Sequence, residues 1–253
     1  MDNETIWRPL REELARREAE GKAVRLWLRD DDASEPGAAL DQLINLTGRS
    51  LVPVVLAAIP QLSGGPLARR LADARHVTPV IHGWSHQNHA PSTQKKQELG
   101  NHRPLDIVFS ELALAIERMA QLFGERLAPV LVPPWNRISA DILPHLHRLG
   151  YRALSCFGID QQRASVPVFN THVDLIDWHT TRGCRDHALL IDDLMTHLKR
   201  TGRSGEPIGI LTHHLVHDEA AWAFLDHLFA LTGSSSCCHW LSAGDLIKGA
   251  TDW

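Results

Sequence analysis

The feature that most limits how this chain can fold is an alternation of short apolar runs with helical patterns, sustained from residue 23 to residue 231. Across 23–29, Val24, Leu26 and Leu28 alternate with other residues at the period of a strand. Leu51–Ile59, Val77–Ile81, Pro129–Val132, Tyr151–Phe157, Val173–Ile176 and Ile208–Leu211 are further strand-like runs. Between them the spacing shifts to that of helices, over 36–48, 66–74, 105–123, 139–149, 186–199 and 219–231. Strands joined by crossover helices build a mainly parallel sheet covered on both faces. With no internal repeat, low-complexity linker or break in composition, the pattern predicts one α/β domain over 1–253. Trp7, Leu10 and Leu14, at helical spacing among Arg and Glu, predict a helical extension over 1–21, stopped at Gly21.

Seven strands suit either a barrel or a doubly wound sheet, and the placement of the unusual residues chooses between them. Asp30-Asp31-Asp32 follows the first strand, and His82-Gly83-Trp84-Ser85-His86 follows the third. Pro133-Pro134-Trp135 follows the fourth, Asp177-Trp178 the sixth, and Thr212-His213-His214 the seventh. The rim formed by the C-terminal strand ends is where chemistry collects in (β/α) barrels, so the pattern favours a barrel.

Two of these stretches suggest a metal ion. Histidines four apart can close on one cation from a single turn, and Gly83 would permit that turn. Three adjacent acids repel one another without any packing benefit, which fits a cation site better than a solvated turn or a helix cap. Most of the 16 histidines have plainer roles. His145 and His147 diverge on a helix, and His76, His102, His187, His197, His227 and His239 read as surface or structural. His89, His214 and His217 lie near the expected rim.

Composition narrows the partners. A formal charge of −4 gives no reason to expect nucleic acid or an acidic membrane surface. Four scattered cysteines do not make a disulfide framework, and no run approaches the roughly 18 apolar residues of a membrane span. The opening Met1-Asp2-Asn3-Glu4 lacks a basic-then-apolar leader pattern, so a cytoplasmic location is expected.

With these stations in order, the chain resembles the polysaccharide deacetylase family, the NodB-homology or carbohydrate esterase family 4 group. The resemblance spans Asp30 to His214. The family's Asp-Asp pair is matched by Asp31-Asp32, and its His-x-x-x-His by His82 and His86 with Ser85 between them. Its Arg-x-Pro-aromatic is matched by Val132-Pro133-Pro134-Trp135, its Asp-x-x-Asp-Trp by Asp174 to Trp178, and its Leu-x-His by Leu211-Thr212-His213. The resemblance implies a distorted (β/α)7 barrel and a metal-dependent hydrolase that removes an acyl group from an amide nitrogen. By the same resemblance Asp31 is the base and His213 the acid. Asp32, His82 and His86 hold a divalent metal, and Asp177 tunes a catalytic group. Pro134, Trp135, Trp178 and His214 line the substrate pocket. One carboxylate with two imidazoles suits zinc first, and also accepts cobalt, nickel, manganese or iron.

Two departures stand out. The motif arginine, which in the family helps hold the base, is Val132, leaving Arg137 and Arg29 as replacements. The usual Asp-Asp-Gly is Asp-Asp-Asp-Ala, so the working pair is Asp31-Asp32 or Asp30-Asp31. Alternation favours the first, because Asp30 continues the Val24-Leu26-Leu28 face. The expected substrate is an N-acetylated saccharide or related small molecule. Hydrolysis of a cyclic amide or ureide, and a catalytically silent saccharide-binding protein, are the alternatives.

Overall fold

The computed structural model describes residues 3–159, 163–201 and 205–249. The predicted extension is helix α1 (Asn3–Ala19); its first two residues lie outside the described ones, as does the end of the predicted domain from residue 250. The chain continues through β1 (Val24–Ala33), α2 (Ala38–Arg49), β2 (Val54–Ala58), α3 (Gly65–Leu71) and β3 (Val77–His82). Then come α4 (Leu105–Phe123), β4 (Val130–Val132), β5 (Ala153–Leu154), β6 (Val173–Asp174), α5 (His187–Thr201) and β7 (Ile208–Thr212). The last elements are α6 (Glu219–Gly233), β8 (Cys238–Trp240) and α7 (Ala243–Gly249).

The pairings between these strands are parallel, in the order β5-β4-β3-β2-β1-β7-β6, with β8 added beside β1. The two ends of this path meet through segment 167–175. Its first half bonds the β5 side, with Phe169 N–H to Leu154 O at 3.1 Å and Thr171 N–H to Cys156 O at 3.0 Å. Its second half bonds β7, with His172 N–H to Gly209 O at 2.7 Å and Leu175 N–H to Leu211 O at 3.0 Å. One segment serving two neighbours in turn closes the sheet as a distorted seven-stranded barrel. It also explains why β5 and β6 are shorter than the apolar runs that announce them.

Alternation along the strands divides the core. Leu26, Leu28, Val54, Leu56, Ile81, Leu131 and Ile210 face outward and pack with the helices. Trp27, Val55, Ala57, Val80, Val130, Val132, Ala153 and Phe169 fill the interior, joined by Ala243 and Leu246 of α7. Gly209 is a requirement of this filling: a Cβ there would stand 2.6 Å from the Trp27 indole and 2.7 Å from Thr171 Cα. Outside, α1 packs on α5 and α6, with Trp7 fully buried 5.0 Å from the Phe224 ring. Among the described residues no helix is long and apolar enough to cross a membrane.

One expected helix is absent. Over 139–149 the chain forms turns with a single 3-10 turn at Leu143–His145, because Pro144 has no N–H to extend an α ladder. The tail from Cys237, where the sequence pattern is less readable, supplies β8 and α7.

Barrel closure has a titratable part. Gly209 N–H donates to His172 Nδ1 at 3.0 Å, and burial, with His197 and Arg200 nearby, pushes this imidazole down to about 3. An unfolded histidine takes up its proton near pH 6.5. The folded state therefore binds fewer protons between these values, and stability falls as pH drops through that window. The loss from this group is at most about 1.4 kcal/mol per pH unit. His172→Asn, whose Oδ1 can accept from Gly209, should flatten the acid limb of unfolding free energies measured by urea from pH 7 to 4. An unchanged limb would clear His172 as its cause.

Candidate active site

The site begins inside β1. Trp27, Arg29 and Asp31 alternate onto the barrel interior, while Leu28 and Asp30 face the helices. Arg29 is fully buried and Asp31 is 2% exposed. The guanidinium grips both carboxylate oxygens, Nε to Oδ1 at 2.9 Å and Nη2 to Oδ2 at 3.0 Å. Its remaining donors reach Asn136 Oδ1 at 2.6 Å, Ser155 Oγ at 2.7 Å, and the carbonyls of Ser155 and Cys156. Burying a cation is costly unless it is paired and every donor is used, and both conditions are met here.

Just beyond, β1 bulges. It takes three steps from Asp30 to Ala33 where β2 takes two from Leu56 to Ala58. The extra residue breaks strict alternation, so Asp32, at φ 72°, turns its carboxylate toward the end of β3. Its Oδ1 lies 3.0 Å from His82 Nε2 and 3.2 Å from His86 Nε2. One donor atom from each of the three residues lies within 4.8 Å of the others. The His82 Nδ1–H donates to Val132 O at 2.9 Å, which leaves the Nε2 lone pair facing the cluster. Burial disfavours charge on both His82 and Asp32. Their mutual attraction outweighs it, raising the imidazole and lowering the carboxyl. A centre that stabilises positive charge, built from two oriented imidazoles and a carboxylate, fits a divalent cation of the zinc type.

The loop that folds His86 back is held from beneath. Gly83 has φ 60° and His86 φ 59°. Glu98, fully buried, accepts from Ser85 N–H at 2.7 Å, Ser85 Oγ–H at 2.9 Å and Trp84 N–H at 3.3 Å. Sequence reading missed Glu98, one acid in a long polar loop with no motif to mark it. The Trp135 ring lies 4.4 Å from the His86 ring, on a residue with φ 54°. Pro134 is buried against Gly83 rather than open to the mouth.

Across the rim, β7 delivers His213, whose Nδ1 is buried without a partner among the described residues. The Trp178 indole meets the His213 ring edge-on at 4.7 Å and donates to Asp174 Oδ2 at 2.9 Å. Burial pushes the Asp174 carboxyl up, opposed by His213 nearby. Asp174 is thus the acid of its motif that shares surroundings with His213 and Asp31. Asp177, expected to tune a catalytic group, instead caps a turn, accepting from His179 N–H at 3.0 Å and from Thr180. Those bonds, Thr180's first, hold its carboxyl below the ordinary range.

His214, expected against substrate, is 2% exposed. Its Nδ1 and the Asp30 carboxylate form a buried pair, reinforced by His214 N–H at 2.9 Å and Thr212 Oγ–H at 2.6 Å. Burial opposes both charges, but the pair prevails, lowering Asp30 and raising His214. Asp30 is therefore engaged by His214 rather than in the Asp32, His82 and His86 cluster. Arg137 donates to Lys96 O at 2.8 Å; the arginine beside Asp31 is Arg29.

Comparison with solved structures places this fold among known ones. A Mycobacterium smegmatis protein assigned as a polysaccharide deacetylase matches over 92% of this chain and 91% of its own, with TM-score 0.70 and 13% identity. Puue allantoinase matches over 90% of each chain, at TM-score 0.61 and 14% identity. A family 4 acetyl xylan esterase from Clostridium thermocellum, solved with a cobalt ion, matches over 88% and 90%, at 0.56 and 14%. No protein-family model matches the sequence, and no curated protein does. The architecture is that of the polysaccharide deacetylases and family 4 carbohydrate esterases, as the resemblance implied.

The turn at Gly83 carries a direct test. A Cβ there would stand 2.1 Å from Glu98 Oε2 and 2.7 Å from the Pro134 ring, at a φ that disfavours side chains. Gly83→Ala should cost about 2 kcal/mol or more in stability. By misplacing His86 it should weaken zinc binding at least about 10-fold, measured by calorimetry. Wild-type zinc affinity in this variant would show that the turn does not set the donors.

Proposed function

We propose that the protein is a metal-dependent hydrolase that removes an acyl group, acetyl in the simplest case, from the nitrogen of an N-acetylated saccharide or related small amide. The observation that carries this reading is the convergence of Asp32, His82 and His86 beside an arginine-clamped Asp31. Asp32, His82 and His86 would hold the ion, zinc first by donor chemistry. Once bound, such an ion polarises the substrate carbonyl and makes water more acidic.

The chain's own residues account for the rest. Asp31, immobilised through both oxygens, keeps a further lone pair on each to take the proton of the attacking water. His213 returns a proton to the departing amine, its ring steadied by the edge of Trp178. Asp174, tied to the Trp178 indole, stands near that imidazole. Trp135 and Trp178 wall the mouth, limiting water and offering flat apolar faces to a ring. Asp177 and His214 support the loops that present these groups.

A rival reading, hydrolysis of a cyclic amide or ureide, draws on the fold shared with an allantoinase. A metal-free version of it leaves the converging Asp32, His82 and His86 without a purpose. A catalytically silent protein would follow from an Asp31 left without an arginine, and Arg29 grips both of its oxygens.

Purified protein should contain about one equivalent of transition metal and hydrolyse a member of a panel of N-acetylated sugars and small amides. Asp31→Asn should lower kcat at least about 100-fold while the metal is retained. Metal loss in that variant would move the ligand role from Asp32 to Asp31, and turnover indifferent to chelation would favour the metal-free ureide chemistry.

A further inference from the structure

The most unusual group in the barrel is a complete guanidinium with no solvent contact, and its bonds lead to more than Asp31. Arg29 Nη2 is shared between Asp31 Oδ2 at 3.0 Å and Asn136 Oδ1 at 2.6 Å. Asn136 and its neighbour Trp135 both hold left-handed backbone, at φ 56° and 54°. Such conformations are strained and persist only where surroundings impose them. The bond to Arg29 is a specific tether on the far side of that strained pair. It turns Asn136 into the barrel and leaves the Trp135 ring against His86. On its other side the guanidinium is anchored to Ser155 and Cys156, at the end of β5.

We propose that Arg29 is a positioning residue that sets the base and the pocket wall as one unit, orienting Asp31 from below and fixing the Trp135–Asn136 turn beside it. This rests on the amide-hydrolase reading for its kinetic consequences but not for its structural ones. A planar guanidinium with two fixed N–H vectors toward one carboxylate determines the rotation of that carboxylate, which a lysine ammonium does not. Because the same group holds Asn136, a change at either end is transmitted to the other. Arg29 is fully buried, so it does not touch substrate itself.

The proposal makes two kinds of measurement diverge. Arg29→Met should leave the Asp31 carboxylate buried and unpaired, lowering Tm by about 10 °C, and adding Asp31→Asn should recover about half of that loss. This stability cycle needs no substrate. Arg29→Lys, the milder variant if Arg29→Met folds poorly, should keep zinc binding within about 3-fold of wild type while kcat falls at least about 10-fold. Asn136→Ala should act mainly on KM, through a loosened Trp135, and its effect should be non-additive with Arg29→Lys. The proposal is overturned if Arg29→Lys retains wild-type kcat, if the two effects add independently, or if Asp31→Asn fails to rescue Arg29→Met. If the wild type hydrolyses no amide while the stability cycle behaves as described, the functional reading fails and the clamp stands.

Discussion

The interaction on which the site depends is the buried pair between Arg29 and Asp31. A barrel interior is a poor solvent for charge, and two ionic groups placed there demand compensation from every side. The compensation comes from three strand ends: Asp31 on β1 itself, Asn136 after β4, and Ser155 with Cys156 after β5. Once those bonds are satisfied, the neighbouring geometry follows. β1 bulges directly after Asp31, and Asp32 swings out of the strand alternation toward His82 and His86.

Charge is sorted across the sheet by the same alternation. Asp30 and Asp31 are consecutive, yet one is neutralised by His214 among the helices and the other by Arg29 inside the barrel. Leaving either acid unpaired would cost more than the pair contributes, since isolated buried charge is the expensive case. Three adjacent acids, which as a string repel, are thus dispersed into three environments: a helix-side pair, an interior clamp and a cluster of imidazoles. The third is where a cation would complete the balance.

The parts legible from residue order were those governed by short-range periodicity. Strand and helix alternation predicted most elements, and α4 begins and ends where the pattern placed it, at Leu105 and Phe123. The choice of Asp31 over Asp30 as the inward acid was also available, because Leu26, Leu28 and Asp30 lie on one face of an alternating strand. The tail from Cys237 is less readable because β8 and α7 depend on the barrel they dock against. The run at 139–149 misled because apolar spacing outvoted Pro144. Asp174 and Asp177 stood in one motif, and nothing in their spacing said which would turn inward and which would cap a turn.

What the sequence alone determined is the set of chemical groups and the strand ends that carry them, since alternation and turn residues are local properties. The tertiary structure decided which groups meet. Arg29 and Val132 show the difference. By motif position the chain lacks the expected arginine, yet an arginine two residues before Asp31 points the same way inside the barrel and clamps that carboxylate. Position along a chain does not register a guanidinium reaching across to residues 136, 155 and 156, because that convergence exists only once the sheet has closed.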